Sequence, residues 1–157
     1  MRESTRRTST LDGSDDWCNS YGKIGQFMTT DLFTVHPEDV VDLAASLVDW
    51  RHIRHVPVED TAGRLVGLVS HPSLLRLVGQ GVGLEERGQL AVKDVMRADP
   101  VFVAPETPTL QAIEVMRENR VGGPPVVDKE RLFGIITEYD LVTVASVMWK
   151  RHLRESP

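Results

Sequence analysis

Displaced by 68 residues and laid on itself, the chain repeats its own pattern from Phe27 onward: Met28 falls on Met96, Asp31 on Asp99, Val35 on Val103 and Pro37-Glu38 on Pro105-Glu106. Ala44 falls on Ala112, Pro57-Val58 on Pro125-Val126 and Asp60 on Asp128. One deleted residue then changes the displacement to 67, under which Arg64-Leu65 meets Arg131-Leu132, Gly67 meets Gly134 and Leu74 meets Leu141. So many matches across a single indel mean one unit written twice, which confines the chain to architectures of two similar units. A unit of about 55 residues buries only about 60% of its unfolded surface, so either copy alone is marginal and the two must pack together.

Each copy has the same grammar. A short apolar stretch (Phe33 to Val35; Val101 to Val103) ends at Pro-Glu, and a helix is expected from Asp39 or from Thr107, with Pro108 suited to the first helical position. Val40, Leu43, Ala44 and Leu47 fall at helical spacing in the first helix, and Ala112, Val115 and Met116 in the second. Strands are expected over His55 to Val58, Leu65 to Val69, Pro124 to Val127 and Leu132 to Ile136, with turns at Asp60 to Gly63 and Asp128 to Arg131. A second helix closes each unit, from about His71 to Val78 and from about Glu138 to Met148. The fold class is therefore α/β (α+β): two β-α-β-β-α units packed as a pseudo-twofold pair through their sheets, with a cleft where their strands meet.

Around the repeats, residues 1–20 are rich in Ser, Thr, Asp and Arg and too poor in aliphatic side chains to offset the entropy of ordering, so they read as a disordered leader. The remaining divisions are unit one at 21–80, a glycine-marked linker at 81–91, unit two at 92–148 and a basic C-terminal tail at 149–157. Cys18 stands alone, which excludes a disulfide scaffold. The five histidines lack acidic or cysteine partners at ligand spacing, so no metal is expected. The balance of 18 Lys plus Arg against 23 Asp plus Glu offers no overall basic field to nucleic acid. No apolar run approaches the ~20 residues of a membrane span, and a cytoplasmic location is expected. No nucleophile elbow, zinc-protease or phosphate-loop motif appears, so the chain is not expected to be an enzyme.

The phrases Phe27-Met28-Thr29, Val56-Pro57-Val58, Gly67-Leu68-Val69-Ser70, Val95-Met96, Pro125-Val126-Val127 and Gly134-Ile135-Ile136-Thr137-Glu138-Tyr139-Asp140 resemble the cystathionine β-synthase (CBS) domain family. The resemblance covers roughly residues 22–147, in the tandem arrangement called a Bateman module. It implies a regulatory pair that binds adenine nucleotides or adenosyl compounds in the cleft between repeats. The family's ligand signature is Gly, two apolar residues, Thr or Ser, two variable residues and Asp or Asn, and the second repeat matches it in full with Thr137 and Asp140.

Thr137 at a strand-to-helix junction lies beside free N–H groups at the positive end of a helix, which suits a phosphate. Asp140 as a carboxylate can accept two hydrogen bonds, which suits a ribose. The same Thr-x-x-Asp spacing is also close to a capping box, in which both side chains only satisfy the helix start. The resemblance implies Thr137 for phosphate and Asp140 for ribose, with Val101 and Pro125 also in the site. In the first repeat Ser70 and Ser73 replace the pair, so this half-site is expected to bind weakly or stay empty. Residues before the Pro-Val strand can, by the same resemblance, reach phosphates across the cleft. Here they are Arg51-His52-Ile53-Arg54-His55, so that Arg54 and His55 align with Gly122 and Gly123. Arg54 has the planar fork for phosphate oxygens, and a His near its unperturbed pKa of about 6.5 can add charge beside an anion. The alternative for this stretch is a solvated basic helix end, and for Gly122-Gly123 a flexible turn.

These features set out one complete composite site (Thr137, Asp140, Arg54, His55) and one degenerate one (Ser70, Ser73, Gly122, Gly123). The expected function is a ligand-sensing module that requires no cofactor and takes AMP, ADP, ATP or S-adenosylmethionine as regulatory ligand, with repeat geometry as its output. Expected partners are a second copy, as a homodimer, and a regulated enzyme or transporter. The rival readings are a ligand-free dimerisation or docking module, and the detached regulatory segment of a larger enzyme.

Overall fold

The computed structural model describes residues 20–51 and 53–155. The leader up to residue 19, with Cys18, lies outside the described residues, as do His52 and the side chain of Arg51. The first unit contains α1 (Val41–Arg51), β1 (His55–Glu59), β2 (Leu65–Ser70) and α2 (His71–Gly79). The connection, read as linker from its glycines, contains a four-residue helix α3 (Leu84–Arg87). After β3 (Arg97–Ala98), the second unit repeats the order with α4 (Thr109–Asn119), β4 (Pro125–Asp128), β5 (Arg131–Ile135) and α5 (Glu138–Glu155). A 3₁₀ turn precedes each unit, at Ile24–Gln26 and at Val92–Asp94.

β1 and β2 form an antiparallel hairpin running from His55↔Ser70 to Glu59↔Leu65, and β4 and β5 form its counterpart from Pro125↔Ile135 to Asp128↔Arg131. Lys129 and Glu130 both have positive φ, 48° and 67°, and make the tight primed turn of the second hairpin. In the first hairpin a longer loop takes its place. Asp60 Oδ1 accepts the N–H groups of Ala62 and Arg64 at 2.9 and 3.0 Å, and Gly63 has φ 75°. The extra residue of this loop is the source of the change in displacement from 68 to 67.

The arms that precede the units cross over. β3, which leads into the second unit, pairs with β2 of the first (Leu68↔Arg97, Gly67↔Ala98). Thr29 in the arm of the first unit pairs with Ile135 of β5, exchanging bonds of 2.9 Å in both directions. Gly25 N–H donates to Pro105 O at 2.8 Å, and its counterpart Lys93 N–H donates to Pro37 O at 3.0 Å. At the pseudo-axis Arg64 pairs with its own equivalent, Arg131.

The core divides the same way. Val35, Ala44, Val56, Val58 and Val69 of the first unit enclose Val92 from the other arm, while Val103, Ala112, Val126 and Ile136 enclose Ile24. Ile24 and Val92 are both fully buried, each contributing about 1.5–3 kcal/mol to a core it reaches only by crossing. Each unit alone therefore has an open sheet edge and a hole in its core.

The structure corrects several expectations. Val40 pairs with Ala91 before the helix begins, so Val40 and Leu43 remain 46% and 44% exposed, and Val41 and Ala44 form the buried face of α1. Pro108 is the N-cap residue of α4, extended and bridged to Lys23, rather than its first helical residue. The basic residues after Met148 continue α5 without a break to Glu155. No helix among the described residues is long and apolar enough to cross a membrane.

Gly67 and Gly134 hold equivalent places under the crossing arms, where Met96 lies on Gly67 and Met28 on Gly134. A Cβ on Gly134 would stand 2.8 Å from Met28 Sδ and 2.9 Å from Thr29 O, a backbone atom held by the paired bonds to Ile135. Gly134→Ala is expected to destabilise the fold by about 1–3 kcal/mol in urea titration, because the arm must shift. An unchanged midpoint would show that the arm is not a fixed part of the sheet.

Candidate functional site

At the end of β5 the chain turns into α5, and Thr137 caps that helix. Asp140 Oδ2 accepts the Thr137 N–H at 2.8 Å and its hydroxyl at 2.7 Å, while Asp140 N–H makes a longer bond of 3.4 Å to Thr137 Oγ1. The capping arrangement therefore exists, but it occupies one carboxylate oxygen. The other, Oδ1, receives a long contact of 3.5 Å from Thr29 Oγ1. Asp140 can thus cap its helix through Oδ2 and still accept from a ligand hydroxyl through Oδ1. At the equivalent junction Ser70 Oγ lies 3.0 Å from Ser73 Oγ and accepts Ser73 N–H at 3.4 Å, so the two hydroxyls are spent mainly on each other.

Facing these junctions are the segments that enter β1 and β4. They are tied to the helix starts by equivalent bonds: His71 N–H to Arg54 O at 2.9 Å, and Glu138 N–H to Gly122 O at 3.0 Å. Arg54 is exposed, and no carboxylate lies within ion-pair distance of it among the described residues. The His55 ring lies over Gly123, where a Cβ would come within 2.5 Å of Nδ1 and 2.7 Å of Cγ. Position 123 is the equivalent of position 55, so near the pseudo-axis one large side chain requires a glycine opposite it. Gly123 is accordingly the complement of His55 and not merely a flexible turn. Burial lowers the His55 pKa below its ordinary value, with the Glu138 carboxylate opposing and the Arg54 cation reinforcing the shift. Desolvation thus favours the neutral form of His55 in the folded chain.

Thr137, Asp140, Arg54 and His55 line one cavity of about 640 Å³, a size that suits a small ligand. Val101 and Pro125 do not line it. Pro125 is buried, with its carbonyl accepting Val103 N–H at 3.0 Å. Their equivalents Phe33 and Pro57 line the cavity instead, because the composite site combines the helix start of one unit with the strand entry of the other. Applying the 68-residue displacement to Val101 and Pro125 leads to these positions. Asp31 also lines the cavity, as do Glu138 and Tyr139, the two variable positions of the signature, to which the motif assigns no role. Ser70, Ser73 and Gly122 line a second, wider cavity of about 1170 Å³, whose boundary also includes Arg54 and His55. Among the described residues no cluster of His, Cys, Asp or Glu could hold a metal ion.

The sequence profile of the CBS domain matches residues 24–80 and again 92–147. A CBS domain-containing protein of Dictyostelium discoideum is 31% identical over 128 residues, covering 76% of this chain and 88% of that one. Inosine-5'-monophosphate dehydrogenase of Methanocaldococcus jannaschii is 34% identical over 121 residues, 76% of this chain but only 23% of the enzyme. Among solved structures, CBSX2 in complex with AMP superposes with a TM-score of 0.71 at 31% identity, over 81% of this chain and 98% of that one. A CBS domain pair solved with 5'-methylthioadenosine and S-adenosyl-L-methionine shares the fold, with a TM-score of 0.72 at 20% identity over 80% of this chain and 97% of that one.

Two outcomes are expected at His55. Gly123→Ala should cost about 1–3 kcal/mol by displacing the ring, and His55→Ala in the same chain should recover most of that loss. Additive losses in this cycle, measured by urea unfolding, would contradict the packing. Because the folded state lowers the His55 pKa, the unfolded chain binds the proton more tightly. Its contribution to stability is complete above about pH 6.5 and is lost as pH falls below that value. His55→Gln should flatten the part of the stability decline that sets in below about pH 6.5, and an unchanged slope would assign the decline to other groups.

Proposed function

The chain belongs to the CBS domain family, and on that premise we propose that it is a regulatory module binding one adenosyl compound in the cavity between Arg54 and Asp140. The observation that carries this reading is the convergence of Thr137, Asp140 and Arg54 on one cavity, with Asp140 Oδ1 making only a long contact. In this reading the ribose hydroxyls donate to Asp140, Thr137 and the start of α5 receive the first phosphate, and Arg54 closes on it from across the cleft. Phe33 and the 79%-exposed Tyr139 supply aromatic surface for the base. Complexes of CBS pairs with AMP and with S-adenosylmethionine support the ligand class.

The charges narrow the choice further. Arg54 stands against Asp31, Glu138 and Asp140, so each added phosphate meets more repulsion than attraction. AMP and the sulfonium compound fit this balance better than ADP or ATP. Ligand that favours one arrangement of the two units shifts their relative geometry, and that shift is the signal. The likeness to a segment of a dehydrogenase supports the reading that the regulated partner is an enzyme. Exposed apolar side chains on the closing helices, Leu75 and Val78 on α2 and Val142, Trp149 and Leu153 on α5, favour association with a second copy.

Isothermal titration with AMP, ADP, ATP and S-adenosylmethionine is expected to show one site per chain, with AMP or S-adenosylmethionine tightest. Asp140→Ala should weaken binding by about tenfold or more, the loss of a charge-assisted hydrogen bond. Failure of the wild type to bind any of the four, together with a tight dimer in sedimentation, would replace this reading by the docking module.

A further inference from the structure

His55 stands where the two cavities meet, and it lines both of them together with Arg54, Gly122 and Glu138. Two consecutive glycines make room for two titratable side chains at this wall. The His55 ring lies over Gly123, and the Glu138 carboxyl group lies over Gly122, 3.2 Å from where a Cβ would stand. The ring is half-buried, and among the described residues neither of its nitrogens takes part in a hydrogen bond within the chain. A donor and an acceptor are therefore left for a molecule in the cavity.

The charges around the ring decide how such a molecule acts on it. In the cavity with Asp140 they are Arg54 at the entry to β1, Asp31 on the arm before the first unit, and Glu138 and Asp140 at the start of α5, with Tyr139 between them in sequence. On the side of the wider cavity they are Asp49 on α1, His71 and Arg76 on α2, Arg87 on α3, Arg97 on β3 and Arg120 at the end of α4. Burial, and to a lesser degree Arg54, favour the neutral ring, while the Glu138 carboxylate opposes them. A second anion placed beside the ring adds to the pull of Glu138 and favours protonation. An uncharged or sulfonium group in the same place adds no such pull.

We propose that His55 determines specificity in this cavity by binding a proton together with an anionic adenosyl compound but not with an uncharged or sulfonium one, so that acidification shifts the preference toward the anion. This rests on the reading of the cavity as an adenosyl site and adds its regulation. With the ring neutral, the wall has Arg54 against Asp31, Glu138 and Asp140, a balance that suits the sulfonium compound. With the ring charged, two cations face those three carboxylates, and a phosphate monoester is admitted more readily. The module then responds to acidity as well as to ligand concentration, by exchanging one adenosyl compound for another.

The test uses the full chain and two probes whose own charge is constant across the range: adenosine 5'-sulfate, an anion, and 5'-methylthioadenosine, which is uncharged. Isothermal titration from about pH 7.5 to about pH 6 should show the affinity ratio of sulfate ester to thioether rising by about threefold or more, within the limit of about tenfold per pH unit for one proton. At about pH 6.5, titration of the wild type in two buffers of different ionisation enthalpy should show net proton uptake with the sulfate ester and none with 5'-methylthioadenosine. In His55→Gln the ratio should be constant with pH and the uptake lost. No binding of the sulfate ester throughout the range, a wild-type ratio constant with pH, equal uptake with both probes, or uptake that persists in His55→Gln would each overturn the proposal while leaving binding of 5'-methylthioadenosine in place. Failure of both probes to bind at any pH would overturn it together with the reading of the site.

Discussion

The exchange of arms between the two units is the contact on which the other features depend. Ile24 fills the core around Val126 and Ile136, and Val92 fills the core around Val58 and Val69. The backbone before each unit completes the sheet of the other through Thr29–Ile135 and Leu68–Arg97. Loss of one arm leaves a cavity and a row of unpaired backbone groups at once, which couples the folding of the halves. The exchange also sets how closely the units approach, and so places the entry to β1 opposite the start of α5.

Because the units are equivalent, residues near the pseudo-axis confront their own counterparts, and two large side chains cannot fill one place. His55 over Gly123 is the resolution of that conflict, and it commits the interior to asymmetry. Once the imidazole lies on one side, burial favours its neutral form, which leaves Arg54 as the cation at the shared wall. The Glu138 carboxyl group packs against Gly122 on the other side of the same wall, 3.2 Å from where a Cβ would stand. The two clefts of one repeated fold thus acquire unlike electrostatics from a few positions where the repeat is broken.

Much of this was legible in the residues. The matches at displacements of 68 and 67 mark two copies, and alternation with turn residues locates both hairpins to within two residues. Thr137 and Asp140 were recognisable from local spacing, because a capping arrangement is made by residues three apart. Two-residue β3 was not, since Arg97–Ala98 has no periodicity and becomes a strand only by meeting β2. On α1, Ala44 and Leu47 meet the core as their spacing indicates, whereas Val40 stays outside the helix because it bridges to Ala91, a contact between distant segments. Val101 and Pro125 lie outside the cavity that their equivalents Phe33 and Pro57 line, because the cavity takes strand entry and helix start from different units, a pairing that no local spacing reveals.

By itself, then, the sequence determined that this protein is a duplicated α/β unit whose second copy retains a Thr-x-x-Asp junction and whose first does not. Those properties follow from local spacing, apolar alternation and turn chemistry, which act over a few residues. Tertiary structure alone decided which residues share a cavity, that His55 is buried against Gly123, and that five arginines from distant segments collect around the serine junction. Charge and burial at a cleft are sums over segments far apart in the chain, and only the crossing of the arms brings those segments together.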